Sequence, residues 1–147
     1  MATTTAAITL TSSDLLTNAL ALSASMSLNQ GGTTATGLEE FRIERLKIAT
    51  GTNFDLVEAT TAATEDANYF YCCNKNTDPT HYVIISINQE VIGRLYAGDW
   101  MFIPWDSDLV DVGADGSAIE AQAVTATAEL EYCLFHNGET RLTADDS

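Results

Sequence analysis

Two segments of the chain alternate apolar and polar residues with a period of two. In residues 20–28 the even positions are apolar, whereas Ser23, Ser25 and Ser27 occupy odd positions. Residues 128–135 repeat the pattern, because apolar residues at the even positions alternate with Glu129 and Glu131. Successive side chains of a strand point to opposite faces, so both segments are predicted to be half-buried β-strands.

Shorter runs rich in β-branched and aromatic residues lie between these two segments. They are ANYFYCC from Ala67, HYVIISI from His81, VIGRLYA from Val91 and WMFIPW from Trp100, and turn-forming residues separate them. Many short strands with little or no helix predict an all-β fold, a sandwich, a jelly roll or a barrel, and an antiparallel β-sandwich of jelly-roll-like type is favoured. The length of 147 residues suits one domain, and no linker or repeat divides it.

The segment from Leu38 to Thr50 fits two periodicities. Leu38 and Phe41 have helical spacing, whereas Phe41 with Ile43 and Leu46 with Ile48 form strand pairs of opposite parity. A bulged strand is favoured, because a change of parity within a strand implies a bulge, and a short helix is the alternative. Residues 29–37 are expected to form a flexible loop.

The two ends of the chain differ in character. Residues 1–12 are strand-like but have no evident partner, so we expect this N-terminal arm to add a strand to an adjacent subunit. Residues 137–147 form a short polar tail that is expected to fray.

The most distinctive segment is LYAGDWMFIPW, from Leu95 to Trp105. Gly98-Asp99 predicts a hairpin turn, and Pro104 suits a strand end or edge. The outgoing strand carries too many large apolar groups for one face, so it is either buried on both sides by a second sheet or anchors another subunit. The candidate interface residues are Tyr96, Trp100, Met101, Phe102 and Trp105, together with Ile8 and Leu10 of the arm.

Charge and hydropathy narrow the range of partners. The formal net charge is −15, and residues 99–147 hold eleven acids with Arg141 as their single base. Such a chain repels a phosphate backbone, so no nucleic acid partner is expected. No apolar stretch is long enough to span a membrane, and the N-terminus lacks the features of a signal peptide. Synthesis in a cytoplasm, without export by that route, is therefore expected.

Basic residues concentrate in one short segment. Arg42, Arg45 and Lys47 lie among three glutamates there. They form either a solvated face of mixed charge or a docking patch for an acidic neighbour.

Motifs that would carry chemistry are not found. Three cysteines, Cys72, Cys73 and Cys133, make a disulfide framework improbable and are expected to be buried free thiols. His81 and His136 lie in strand-like runs, and nucleophile-elbow and phosphate-binding motifs are absent. We therefore expect no cofactor and no enzymatic activity.

An acid-rich segment offers a weak candidate for calcium binding. Asp106, Asp108, Asp111 and Asp115 lie within ten residues, and clustered carboxylates suit hard cations. Because the spacing departs from that of an EF-hand, a solvated turn is the favoured interpretation.

The chain resembles structural proteins of tailed-bacteriophage virions, in particular small β-rich head decoration or cement proteins. The resemblance rests on the short Ala/Thr/Ser-rich strands, the segment Tyr96–Trp105 and the final strand Ala128–Phe135. It implies a homo-oligomer, often a trimer, that binds the major capsid protein on the outer capsid surface. Head fibre, connector and tail proteins are alternatives, as is a carbohydrate-binding β-sandwich in which Trp100, Trp105, Tyr96 or Tyr69 stacks on a sugar.

Overall fold

The structure is a computed structural model that describes residues 4–13, 20–29, 40–57, 68–105 and 119–136. These residues form ten β-strands and no helix, so they contain no helix that could cross a membrane. The strands are β1 (Thr4–Ser12), β2 (Leu20–Leu28), β3 (Glu40–Ile48), β4 (Asn53–Val57), β5 (Asn68–Asn74), β6 (Tyr82–Ile87), β7 (Glu90–Tyr96), β8 (Trp100–Trp105), β9 (Ile119–Ala123) and β10 (Ala128–His136).

Two four-stranded antiparallel sheets pack on each other. The first sheet has the order β3-β10-β5-β8, and the second sheet has the order β4-β9-β6-β7. Alternate residues of each strand face the space between the sheets and form one core, which includes Phe70 and Tyr132 from the first sheet and Val83, Ile85 and Ile119 from the second. The predicted all-β antiparallel sandwich is confirmed.

The pairing of these eight strands is nested. β6 pairs with β7, β5 with β8, β4 with β9, and β3 with β10. Additional pairs, β10 with β5 and β9 with β6, join the nested pairs into the two sheets. Strands β3–β10 thus follow the path of one long antiparallel hairpin wound on itself, and most connections pass from one sheet to the other.

The hairpin predicted around Gly98-Asp99 is wrong in its strand pairing, although the turn itself exists. β7 pairs with β6 in the second sheet, whereas β8 pairs with β5 in the first sheet. The turn therefore carries the chain across the sandwich. The hairpin adjacent in sequence is β6–β7, where Asn88 and Gln89 both have positive φ, as a two-residue type I′ turn requires.

β3 is a regular strand, so the helix alternative and the predicted bulge are both wrong. Its pairing with β10 runs from Ile48 to Glu40 without a register shift. The change of parity has another cause: Leu46 and Ile48 face the core, but Ile43 lies on the outer face with 57% of its surface exposed. Because Ile43 is an apolar residue on the solvent face, the sequence shows the same change of parity that a bulge would produce.

β1 has a partner within its own chain, contrary to the expectation for the N-terminal arm. It pairs with β2 from Thr4↔Leu28 to Ser12↔Leu20. That β1 adds a strand to an adjacent subunit, through its other edge, stays a prediction. Strands β4 and β9 were not predicted, and the expected tail of residues 137–147 and most of the expected loop lie outside the described residues.

The side chain of Asn74, at the end of β5, connects the two sheets by hydrogen bonds. It is fully buried, and its Nδ2 donates to the carbonyls of Leu95 (2.9 Å) and His81 (3.2 Å). Its Oδ1 accepts from the N–H of Asn76 at 3.0 Å. The turn after β7 also docks here, because the N–H of Gly98 donates to the Asn74 carbonyl at 2.8 Å. This corner fixes the position at which β8 begins.

Candidate interaction surface

The β1–β2 hairpin, here called the ribbon, has one apolar and one polar face. Directly paired residues share a face, so Ala6↔Met26, Ile8↔Ala24 and Leu10↔Leu22 lie together. The opposite face carries Thr5↔Ser27, Ala7↔Ser25, Thr9↔Ser23 and Thr11↔Ala21. A half-buried sheet has this pattern, yet Ile8, Leu10, Leu22 and Met26 are 39–48% exposed. The ribbon therefore presents an apolar face that the described residues leave largely uncovered.

Leu28 marks the place where the ribbon meets the sandwich. It is 2% exposed but does not belong to the core between the two sheets. It lines a cleft together with side chains from the outer face of the first sheet. The base of the ribbon is thus anchored there, and residues further along it are more exposed.

The outer face of the first sheet is aromatic. Tyr69 and Phe102 stack with ring centroids 5.6 Å apart, and Phe102 meets Phe135 edge-on at 6.3 Å. Tyr71 is paired with Phe102 in the sheet, and Trp100 lies two residues from Phe102 on the same face. Trp100 is 52% exposed. The aromatic side chains of this face cover much of one another's surface, but Trp100 remains exposed to solvent.

A cleft of about 450 Å³ lies between the ribbon and this aromatic face. The ribbon contributes Thr4–Ile8, Ala24–Met26 and Leu28, and the sheet contributes Tyr71, Trp100, Phe102 and Phe135. None of these side chains carries a formal charge at neutral pH. The ribbon face and the aromatic face therefore form one continuous apolar surface, here called the apolar cleft.

The structure gathers only some of the predicted interface residues at this surface. Ile8, Trp100 and Phe102 line the apolar cleft, and Leu10 lies on the same face of the ribbon. Met101 does not lie at this surface, because it packs against the core from the opposite face of β8. The side chain of Trp105 lies outside the described part of the chain.

Tyr96 does not lie at the apolar cleft either, because it is on the other side of the sandwich. Leu95 faces the core, so Tyr96 faces outward from the second sheet. There it contacts Tyr82 with ring centroids 5.3 Å apart, and Arg94 lies 5.1 Å from the centre of the Tyr82 ring. Sequence proximity to Trp100 was misleading, since the turn between them crosses from one sheet to the other.

Sequence reasoning missed several members of the surface. They are Met26, Leu28, Tyr71 and Phe135 in the apolar cleft, and Leu22 and Ile43 as exposed apolar residues. The alternation in residues 20–28 identified an apolar face correctly. It could not show that this face belongs to a ribbon outside the main core.

The expected buried free thiols are confirmed. Cys72, Cys73 and Cys133 are all buried and unbridged. Burial, with a smaller contribution from neighbouring Cys73, raises the pKa of Cys72 to about 12. Burial also raises the pKa of Tyr71 to about 12, together with the nearby Cys73. The Cys72 thiol is therefore held neutral and behaves as a small apolar group.

At least one member of the basic segment is used within the chain. Arg45 Nε donates to Glu131 Oε2 at 2.6 Å across the β3–β10 pair, and this hydrogen bond raises the pKa of Arg45. In the same pair of strands, the buried Tyr132 donates its hydroxyl to Glu44 at 2.8 Å. Arg45 is thus already matched to an acid of its own sheet, which weakens the interpretation of this segment as a docking patch.

The second sheet carries a separate, polar groove of about 250 Å³ on its outer face. Glu120 Oε2 accepts from the Ser86 hydroxyl at 3.2 Å and from the Gln89 N–H at 3.1 Å. Asn53 and Gln122 add amide groups to its lining.

The calcium candidates Asp106, Asp108, Asp111 and Asp115 lie outside the described residues. Among the residues that are described, no group of three or more His, Cys, Asp or Glu side chains could hold a metal ion.

Comparison with protein-family models, curated proteins and solved structures finds no match to this chain.

Proposed function

We propose that the chain is a non-enzymatic structural protein of a tailed-phage virion, a capsid decoration or cement protein. It would bind neighbouring subunits and the major capsid protein on the outer capsid surface, after synthesis in the host bacterial cytoplasm. One observation carries the proposal: an uncharged apolar surface, built from the ribbon and the outer face of the first sheet, lies outside the core. Contiguous exposed apolar surface of this kind is typical of protein contacts.

The winding of the sandwich supports this proposal. Nested antiparallel pairs folded into two four-stranded sheets are the arrangement expected of a jelly roll. Jelly rolls are frequent in viral capsid proteins but also occur in lectin domains. This support is an analogy at the level of the fold, and the surface itself carries more weight.

The charge of the chain is compatible with an outer capsid position. At −15 the protein is repelled by packaged nucleic acid, whereas the outside of a shell is free of that repulsion. Head fibre, connector and tail proteins share these properties, so the location on the particle must be measured.

Virions produced from the genome that encodes the chain provide the test. The protein should be detected in purified particles at a copy number comparable to that of the major capsid protein, by quantitative mass spectrometry. Immunogold electron microscopy should then label the head. Absence from purified virions would overturn the proposal, and labelling confined to the tail would replace decoration with a tail role.

A carbohydrate-binding sandwich is the second candidate, and the polar groove of the second sheet favours it. Its amides and carboxylate are suited to sugar hydroxyls, and the tyrosine pair Tyr82–Tyr96 lies on the same outer face of the second sheet. Of the aromatic residues named for this role, Tyr96 lies on the second sheet, whereas Trp100 and Tyr69 lie on the first sheet. A glycan array in which no sugar binds above background, or binding unaffected by Gln122→Ala, would remove this candidate.

A further inference from the structure

We propose that a second copy of the chain fills the apolar cleft with the apolar face of its own ribbon, and that the exchange is reciprocal about a two-fold axis. This inference rests on the proposed function, because it takes the apolar cleft as an assembly surface. It adds that the partner at this surface is a second copy of the chain. In such a contact each surface binds an identical surface on the other copy.

Charge is the first argument for a second copy as the occupant. Residues 1–38 contain one charged residue, Asp14, whereas residues 39–147 contain twenty acids and six bases. A basic partner would be recognised by acidic groups around the cleft, because opposite charges steer and orient association. An equally acidic partner must instead meet the chain where charges are absent. The ribbon meets that requirement, since neither of its strands carries an ionisable side chain.

The length of the ribbon is the second argument. A nine-residue strand spans roughly 30 Å, while charge–charge repulsion in physiological salt is screened over about 8 Å. When the two ribbons lie antiparallel, the end of one ribbon with Leu10 and Leu22 reaches the cleft of the other copy near Leu28, while the two acidic bodies stay about one ribbon length apart. Two copies can bury apolar surface there with little of the repulsion that a net charge of −15 imposes elsewhere.

The shape of the ribbon face is the third argument. A large residue opposes a small one in two successive pairs, with Met26 across from Ala6 and Ile8 across from Ala24, whereas the next pair, Leu10 and Leu22, is large on both sides. Packed faces interdigitate best when large side chains of one lie over small side chains of the other. Two copies of this face, offset by one pair, satisfy that condition. The cleft has room for a few such apolar side chains but not for a globular domain.

Two single substitutions test the proposal by sedimentation equilibrium. Leu22→Asp introduces a charge on the apolar face, and Ser23→Asp introduces the same charge on the polar face of the same strand. The wild-type chain should form a reversible dimer. Leu22→Asp should raise the dissociation constant by at least about 100-fold, because the substitution occurs twice in a two-fold contact. Ser23→Asp should change it by less than about threefold, and circular dichroism should show that both variants are folded.

Salt and fluorescence add two independent measurements. Raising the salt concentration from about 20 mM to 500 mM should tighten the dimer, because screening weakens like-charge repulsion and leaves apolar contacts intact. In a Trp105→Phe background, the emission of the remaining Trp100 should shift to shorter wavelength as the dimer forms. Trp100 is half exposed in the single chain and lines the cleft, so burial in the contact should remove it from water.

Several outcomes would overturn the proposal: a chain that stays monomeric up to about 100 μM, equal effects of the two substitutions, weakening by salt, or a closed trimer. Virion analysis separates this proposal from the proposed function. A ribbon-dependent dimer that is missing from virions would retain the inference and overturn the function. A monomeric chain found on capsids would overturn the inference and retain the proposed function.

Discussion

Asn74 is a fully buried polar residue whose hydrogen bonds join two sheets. Its amide supplies donors to two carbonyls and an acceptor to one N–H, while its own backbone holds the turn that leads into β8. An unsatisfied buried polar group destabilises a fold by about 1–3 kcal/mol. The position of Trp100 at the apolar cleft therefore depends on a residue that does not touch the cleft.

Asn74→Ala should lower the free energy of unfolding by about 2–4 kcal/mol, because it removes three hydrogen bonds made by a fully buried side chain. Urea denaturation followed by tryptophan fluorescence measures this change. Asn74→Asp should be at least as destabilising at pH 7, since a carboxylate would face the Leu95 carbonyl. Its deficit relative to wild type should shrink near pH 4, where a protonated carboxyl can donate. A loss below about 0.5 kcal/mol in both variants would contradict this role.

Cys72 makes stability sensitive to alkaline pH. Its pKa rises from 9.0 to about 12 on folding, so between these values the unfolded chain releases a proton that the folded chain keeps. Stability is therefore complete below pH 9 and falls above it, by up to about 1.4 kcal/mol per pH unit for this group. Urea denaturation between pH 8 and 10 should show a steeper decline in wild type than in Cys72→Ala. Parallel curves would exclude this contribution.

Residue types alone identified the thiols as buried but not Asn74. Free cysteine is commonly buried, so the composition of the ANYFYCC run sufficed for Cys72 and Cys73. Asparagine is common in turns, and Asn74 begins a turn-rich stretch, so the sequence favoured a solvent-exposed loop position. Its burial arises from β7, a strand about twenty residues away, which local pattern cannot reveal.

At the scale of elements, the turn between β7 and β8 determines which sheet β8 joins. The carbonyl of Tyr96 accepts from the N–H of Asp99 at 2.9 Å, and Asp99 Oδ2 accepts from the N–H of Tyr96 at 3.0 Å. Gly98, third in this turn, has φ of 85°. That conformation favours glycine.

Gly98→Ala should destabilise the fold by about 1–2 kcal/mol. An added Cβ would meet no atom within 4 Å, so the effect is purely conformational, from holding alanine at positive φ. Gly93→Ala is the matched control, because its Cβ also meets nothing and its φ is not positive. We expect that control to be neutral or stabilising by up to about 1 kcal/mol. Thermal unfolding should give a lower melting temperature for Gly98→Ala than for Gly93→Ala, and equal melting temperatures would refute the argument.

The elements that the sequence predicted well are those whose alternation matches burial. In β10 the even residues from Ala128 to Leu134 all lie in the core, so its period of two is unambiguous. β3 was ambiguous because Ile43 faces solvent. β4 and β9 are five-residue strands with short patterns, and strand pairing across the sandwich is a long-range property that turn residues do not encode.

On the scale of the whole molecule, the chain separates into an acidic sandwich and a nearly uncharged ribbon. The core cluster is drawn from β3 to β10 alone, and it includes no residue of β1 or β2. Period-two patterns were sufficient to predict the sandwich, because its core faces are apolar. They could not distinguish strands that build the sandwich from strands that stand beside it, since both alternate in the same way.

Removing residues 1–38 should therefore leave the sandwich folded while abolishing self-association. The truncated chain keeps every residue of the core cluster, whereas it loses Leu28 and the apolar face of the ribbon. Cooperative thermal unfolding with a retained near-ultraviolet circular dichroism signal would establish an intact core, and sedimentation equilibrium should show a monomer. Because a two-stranded ribbon is at most marginally stable by itself in water, the isolated peptide 1–38 should not fold. A truncated chain without cooperative unfolding would instead show that the ribbon is part of the folding unit, and that its contacts with the aromatic face stabilise the sandwich directly.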